Sequence, residues 1–88
     1  MSPQELCELF AGKVQRARLL DTAERLVAVP SPTGQAGAVA DCLAELFRAD
    51  GFAVERPVAG HSASPAVVVR YTTGRPSRTL QFDGHLDT

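Results

Sequence analysis

The sequence has no excess of charge of either sign. Nine Lys and Arg stand against ten Asp and Glu, for a net charge of −1 over 88 residues. That removes the electrostatic case for a nucleic-acid or membrane-surface partner. Cysteine is scarce: Cys7 and Cys42 suit neither a disulfide framework nor a CxxC metal site, and both are expected to act as small free hydrophobes. No apolar run is long enough to span a bilayer. The opening stretch Met1-Ser2-Pro3-Gln4-Glu5-Leu6-Cys7-Glu8 lacks the basic and apolar regions of a signal peptide, so a soluble cytoplasmic protein is expected. Repeats, low-complexity tracts and interdomain linkers are also missing. A chain of this length makes at most one small domain and buries only roughly 60–65% of its unfolded surface.

Hydrophobic periodicity supplies the elements. Lys13 to Val29 reads as an amphipathic helix, with Leu19, Ala23 and Leu26 in one stripe and charged residues on most of the remainder. Pro30 ends it and Pro32 prevents a restart, since each lacks an N–H and restricts its predecessor. Gln4 to Phe10 reads as a separate short helix broken at Gly12. A further helix is expected from Gln35 to Asp50, because Val39, Cys42, Leu43, Leu46 and Phe47 recur at i, i+3, i+4, i+7 and i+8. Thr33 is its expected N-cap. Gly51 suits the left-handed position after its end, with Phe52 folding back on Phe47 in a Schellman motif.

Strands are expected next, over Phe52–Arg56, over the β-branched run Ala66–Thr72, and over Thr79–Asp83. A Gly/Ser/Pro-rich loop (Ala59 to Pro65) and a turn (Thr73 to Ser77) separate them. Two main helices and then three strands make the expected opening of an α/β or α+β domain. So apolar a middle strand needs cover on both faces, which two helices do not easily supply, so the chain reads as the front of a larger domain.

Chemistry concentrates in Asp83-Gly84-His85-Leu86-Asp87. Side chains at i and i+2 of an extended segment share a face about 6–7 Å apart. His85 is placed just past a strand's carboxyl end, where open α/β sheets put their ligand sites, and is the candidate metal ligand. Asp87 is either a ligand beside it or the carboxylate that fixes its tautomer. Asp83 lies on the same alternating face and is either part of an Asp-x-His-x-Asp cluster or a solvated strand-end residue. His61, in Gly60-His61-Ser62-Ala63-Ser64, matches no Gly-x-Ser-x-Gly elbow and reads as a solvated loop residue. The Ser31-Pro32-Thr33-Gly34 turn lacks the glycine spacing and lysine of a P-loop.

Taken in order, Val-Ala-Val-Pro-Ser-Pro-Thr-Gly (Val27 to Gly34), a helix ending in Asp50-Gly51-Phe52, two strands and Leu80-Gln81-Phe82-Asp83-Gly84-His85-Leu86-Asp87-Thr88 resemble one enzyme family. It is the co-catalytic zinc metallopeptidases that include acetylornithine deacetylase, succinyl-diaminopimelate desuccinylase, aminoacylase and carboxypeptidase G. The resemblance covers nearly all of the chain after about Lys13. It implies that residues 1–88 are the incomplete N-terminal part of a zinc-exopeptidase-like α/β/α catalytic domain. It further implies His85 as the first metal ligand and Asp87 as the catalytic-site carboxylate that orients it, with no role for Asp83. Ser31 and Gly34 match a structural turn of the family. Gln35 and Ala36 stand where many members carry acidic residues, a departure taken as a surface change.

The family's cofactor is a pair of zinc ions, with cobalt or manganese as substitutes, held by five protein ligands alongside a glutamate base. All but His85 would lie further along, as would the dimerisation domain of a homodimeric intact protein. The implied substrate is a small N-acyl amino acid or peptide whose amide bond is hydrolysed, and the isolated chain is expected to be inactive. Two rivals stand beside this: a non-catalytic protein that serves as an association partner, and a hydrolase with a different or single metal bound through Asp83.

Overall fold

A computed structural model describes Met1–Thr88 and contains three helices and a two-stranded ribbon. The helices are α1 (Pro3–Lys13), α2 (Arg16–Val27) and α3 (Gly37–Ala49); the strands are β1 (Val54–Glu55) and β2 (Val68–Val69). The arrangement is mixed α/β, but its element order differs from two helices followed by three strands.

α1 begins at a capping box. The Ser2 hydroxyl accepts from the Glu5 N–H at 3.1 Å, the Glu5 carboxylate accepts from the Ser2 N–H at 3.4 Å, and Pro3 occupies the first turn. With that start the helix runs through Gly12, and the break falls at Val14 and Gln15, both extended. α2 therefore starts at Arg16 rather than Lys13. α1 buries no residue, which leaves Cys7 exposed instead of packed, while Cys42 on α3 is half-buried.

α3 carries the core: Val39, Ala40 and Ala44 are the buried apolar residues of the chain. The two alanines present little bulk, and α3 packs between α2 on one side and β1 on the other. Thr22, Leu26 and Val29 are half-buried, whereas Leu19 and Val27 are 60% and 70% exposed. An exposed Arg18–Asp50 ion pair also joins α2 to the end of α3. That end is a Schellman motif as expected. The Phe52 N–H donates to the Phe47 carbonyl at 3.1 Å and the Gly51 N–H to the Arg48 carbonyl at 3.0 Å, with Gly51 at φ +90°. The Phe47 and Phe52 rings meet edge to face, 5.9 Å between centroids.

The start of α3 is a correction. Its N-cap is Ala36, not Thr33, and no side chain of the cap residue serves it. Instead Ser64, 28 residues along, accepts from the Ala36 N–H at 2.9 Å. The loop comes close enough that a Cβ on Gly37 would lie 3.1 Å from the Ala63 carbonyl oxygen.

The strands are shorter than the β-branched runs suggest. β1 and β2 pair antiparallel, Val54 with Val69 and Glu55 with Val68, and Arg70 reaches back to Glu55 at 3.3 Å. Thr79–Asp83 forms no strand: no backbone hydrogen bond reaches it, and Leu80 and Phe82 are 77% and 87% exposed. A strand exists through its ladder, and propensity alone does not make one.

Exposure is high throughout. The accessible surface is 7496 Å², against about 5,000 Å² for a compact monomer of this mass. The radius of gyration is 15.4 Å, against about 12 Å for a compact chain of this length. The 41 backbone hydrogen bonds fall short of the roughly 60 that a domain of this size makes.

Candidate metal centre

Pro30 and Pro32 stop α2 and force a turn, which Gly34 completes at φ +81° with the Gln35 N–H on the Pro32 carbonyl at 2.9 Å. A positive φ at the third position is what a type II turn requires, and glycine meets it without strain. Thr33 is thereby set on the corner of the turn, facing the far end of the chain.

The segment His85–Thr88 is fastened to that corner. The Thr88 N–H donates to the Ser31 carbonyl at 2.9 Å, and the Ser31 and Thr88 hydroxyls are 3.0 Å apart. Ser31 is 3% exposed and is the chain's buried polar residue, so its hydroxyl needs the partner it has. One residue back, the Thr33 hydroxyl donates to Asp87 Oδ2 at 2.8 Å. The other Asp87 oxygen, Oδ1, lies 3.1 Å from His85 Nδ1, and the Asp87 carbonyl oxygen lies 3.2 Å from the same nitrogen.

The electrostatics follow from these bonds. The Thr33 hydroxyl, together with Asp87's own backbone and His85, holds the Asp87 carboxyl below its ordinary value of 3.8, against a smaller opposing effect of burial. Asp87 is therefore ionised at neutral pH and can only accept. A neutral His85 ring that uses the Asp87 Oδ1 and carbonyl acceptors donates from Nδ1, which leaves Nε2 with a free lone pair. The His85 side chain is 86% exposed, so Nε2 is open to solvent.

The sequence places His85, Asp87 and Asp83 together; the structure joins the first two. Asp83 is exposed and accepts from Gln81 Nε2 at 2.9 Å. Nowhere do three or more His, Cys, Asp or Glu side chains come together as a metal cage. His61 is an exposed turn residue, its N–H on the Val58 carbonyl at 2.9 Å. Thr33, expected at a helix cap, is instead the second partner of Asp87. The signal for that was weak, since the two lie 54 residues apart.

His85 and Asp87 stand on the rim of a cleft of about 640 Å³ whose apolar wall includes Leu43, Phe47, Val68 and Phe82. An open imidazole nitrogen, backed by a carboxylate at the edge of an apolar cleft, is the donor arrangement of one metal ligand with its outer partner. It suits zinc as a single ligand, short of the three or four protein ligands that zinc normally takes.

The chain has a distant sequence similarity to metallopeptidases of the deacetylase and desuccinylase type. In an alignment 68 residues long that covers 74% of this chain, it is 40% identical to the succinyl-diaminopimelate desuccinylase of Novosphingobium aromaticivorans. The chain spans 18% of the length of that relative. No family model matches the chain, and no solved structure matches it.

Proposed function

We propose that this chain forms the amino-terminal part of the catalytic domain of a zinc-dependent amidohydrolase, acting on the amide bond of an N-acyl amino acid or small peptide. The observation that carries the proposal is the His85 Nδ1 to Asp87 Oδ1 contact at 3.1 Å, with Nε2 left open. The 40% identity to a desuccinylase supports the same chemistry.

In this scheme His85 holds one zinc through Nε2, and Asp87 keeps the imidazole in the required tautomer and raises its basicity. Zinc, when bound, polarises a carbonyl and acidifies water at neutral pH. Asp87 stays ionised and fastened to Thr33. The other ligands, a second zinc, the glutamate base and a dimerisation domain belong to the rest of such a protein. Residues 1–88 alone are then inactive.

The roughly 2,500 Å² of surface beyond that of a compact monomer supports an unfinished domain, since an obligate interface covers areas of that order. A small protein that docks on a longer relative would need the same cover. The intact mass of the natural product separates the two. A mass several times 9.4 kDa is expected, and one near 9.4 kDa would sink the enzyme proposal. In the intact protein His85→Ala should lose zinc, whereas Asp83→Ala should keep its full metal content; zinc lost on Asp83→Ala would favour a site built on Asp83.

A further inference from the structure

We infer that Thr33 is the positioning residue of this site: by holding one oxygen of Asp87, it fixes the other on His85 Nδ1 and turns His85 Nε2 outward as the available donor. The use of that donor rests on the zinc reading above, whereas the positioning itself does not.

The two Asp87 oxygens are divided between two partners, Oδ2 to the Thr33 hydroxyl at 2.8 Å and Oδ1 to His85 Nδ1 at 3.1 Å. A carboxylate held by one bond can turn and exchange its oxygens with water; held by both, it has one orientation. The Asp87 side chain is 33% exposed, so water competes for it and the Thr33 bond decides its direction. The anchor is itself fixed. Thr33 sits on the corner of the proline turn, and the Ser31–Thr88 contacts on the adjoining residues hold the two segments in register. A chain of bonds thus runs from the proline turn through Thr33 and Asp87 to the imidazole, and links parts of the sequence 54 residues apart.

A competing support exists in the Asp87 main-chain carbonyl, 3.2 Å from His85 Nδ1. If that carbonyl alone held the ring, Thr33 would be dispensable. Substitution can separate the two cases, because Thr33→Val keeps the shape and removes the hydroxyl, and Thr33→Ser keeps the hydroxyl.

The test is the His85 tautomer, read by nitrogen-15 NMR on the metal-free 88-residue chain above the titration range of imidazole. Wild type and Thr33→Ser should hold the proton on Nδ1. Thr33→Val should lose that preference and populate the Nε2–H form, with unchanged helix content by circular dichroism. An unchanged tautomer in Thr33→Val would overturn the inference in favour of the main-chain carbonyl, and so would an Nε2–H wild type. In the zinc-loaded intact protein, Thr33→Val should weaken zinc binding by about 10-fold, as loss of an outer partner does. Zinc content indifferent to His85→Ala would refute the zinc reading while the tautomer result stood on its own.

Discussion

Ser31 and Thr88 are joined twice, by a main-chain hydrogen bond of 2.9 Å and by a hydroxyl pair at 3.0 Å. The pair closes the turn after α2 onto the end of the chain and sets the level at which Thr33 meets Asp87. Removing only the side-chain half is informative. Ser31→Ala should cost about 1 kcal/mol, the usual net worth of one hydrogen bond with a partner able to turn to water. Thr88 keeps its main-chain bond, so its amide should stay protected from hydrogen exchange, though less than in wild type. Loss of all protection at Thr88 would mean that the hydroxyl pair, and not the backbone, holds the segment.

The Asp87 carboxyl makes the same junction sensitive to acid. Its folded pKa lies below the ordinary value of 3.8, so the bonds to Thr33 and His85 stabilise the fold fully above that value. The contribution disappears as pH falls through the lowered folded pKa. NMR titration of the Asp87 carboxyl carbon should give a midpoint below 3.8 in wild type and a higher one in Thr33→Val. A wild-type midpoint at or above 3.8 would contradict the bonds from Thr33 and His85 to the Asp87 carboxylate.

Glycine substitutions inside one helix and just past the end of another should act in opposite directions. Gly51 sits at φ +90° beyond the end of α3, so Gly51→Ala forces a side chain into the left-handed region at a cost of about 1–2 kcal/mol. Gly12 lies inside α1 with open space around it, and Gly12→Ala should add helix propensity worth about 1 kcal/mol. Because α1 buries nothing, that gain should appear as helicity by circular dichroism and leave the midpoint of global unfolding unchanged. A raised midpoint would show that α1 is coupled to the rest of the fold.

What could be read from sequence divides along the range of the forces involved. The body of α3 and its Schellman ending depend on residues within one or two turns, so Val39, Phe47, Gly51 and Phe52 announce them. Ser2, Pro3 and Glu5 carry an equally local start signal, which outweighs the glycine break expected at Gly12. The strands depend on partners, and the β-branched stretch Ala66–Thr72 yields two ladder residues, Val68 and Val69; Ala66 adds one bond to the Pro57 carbonyl at 2.8 Å, but Pro57 has no N–H to return. In the site, His85 and Asp87 are legible because they are neighbours on one extended segment. Thr33 and Ser64 are not, since each acts across the fold on a group 54 or 28 residues away.

The largest physical oddity of the chain is what it leaves uncovered, and this makes its own prediction. Phe82, Tyr71 and Leu80 are 87%, 80% and 77% exposed, and buried apolar packing is confined to three small or medium side chains on α3. Burial near 25 cal/mol per Å² is the main offset to chain entropy, so a chain that hides so little has a shallow stability minimum. Purified as 88 residues, it should bind a hydrophobic dye such as ANS and unfold in urea over a broad range with a low m-value. Its radius of gyration by X-ray scattering should stay near 15.4 Å rather than contract toward about 12 Å. Supplying the remainder of a desuccinylase-like domain, fused or in trans, should abolish dye binding and sharpen the transition. A sharp, dye-free transition for the isolated chain would show that it closes its own core, and the proposal of an unfinished catalytic domain would fall with it.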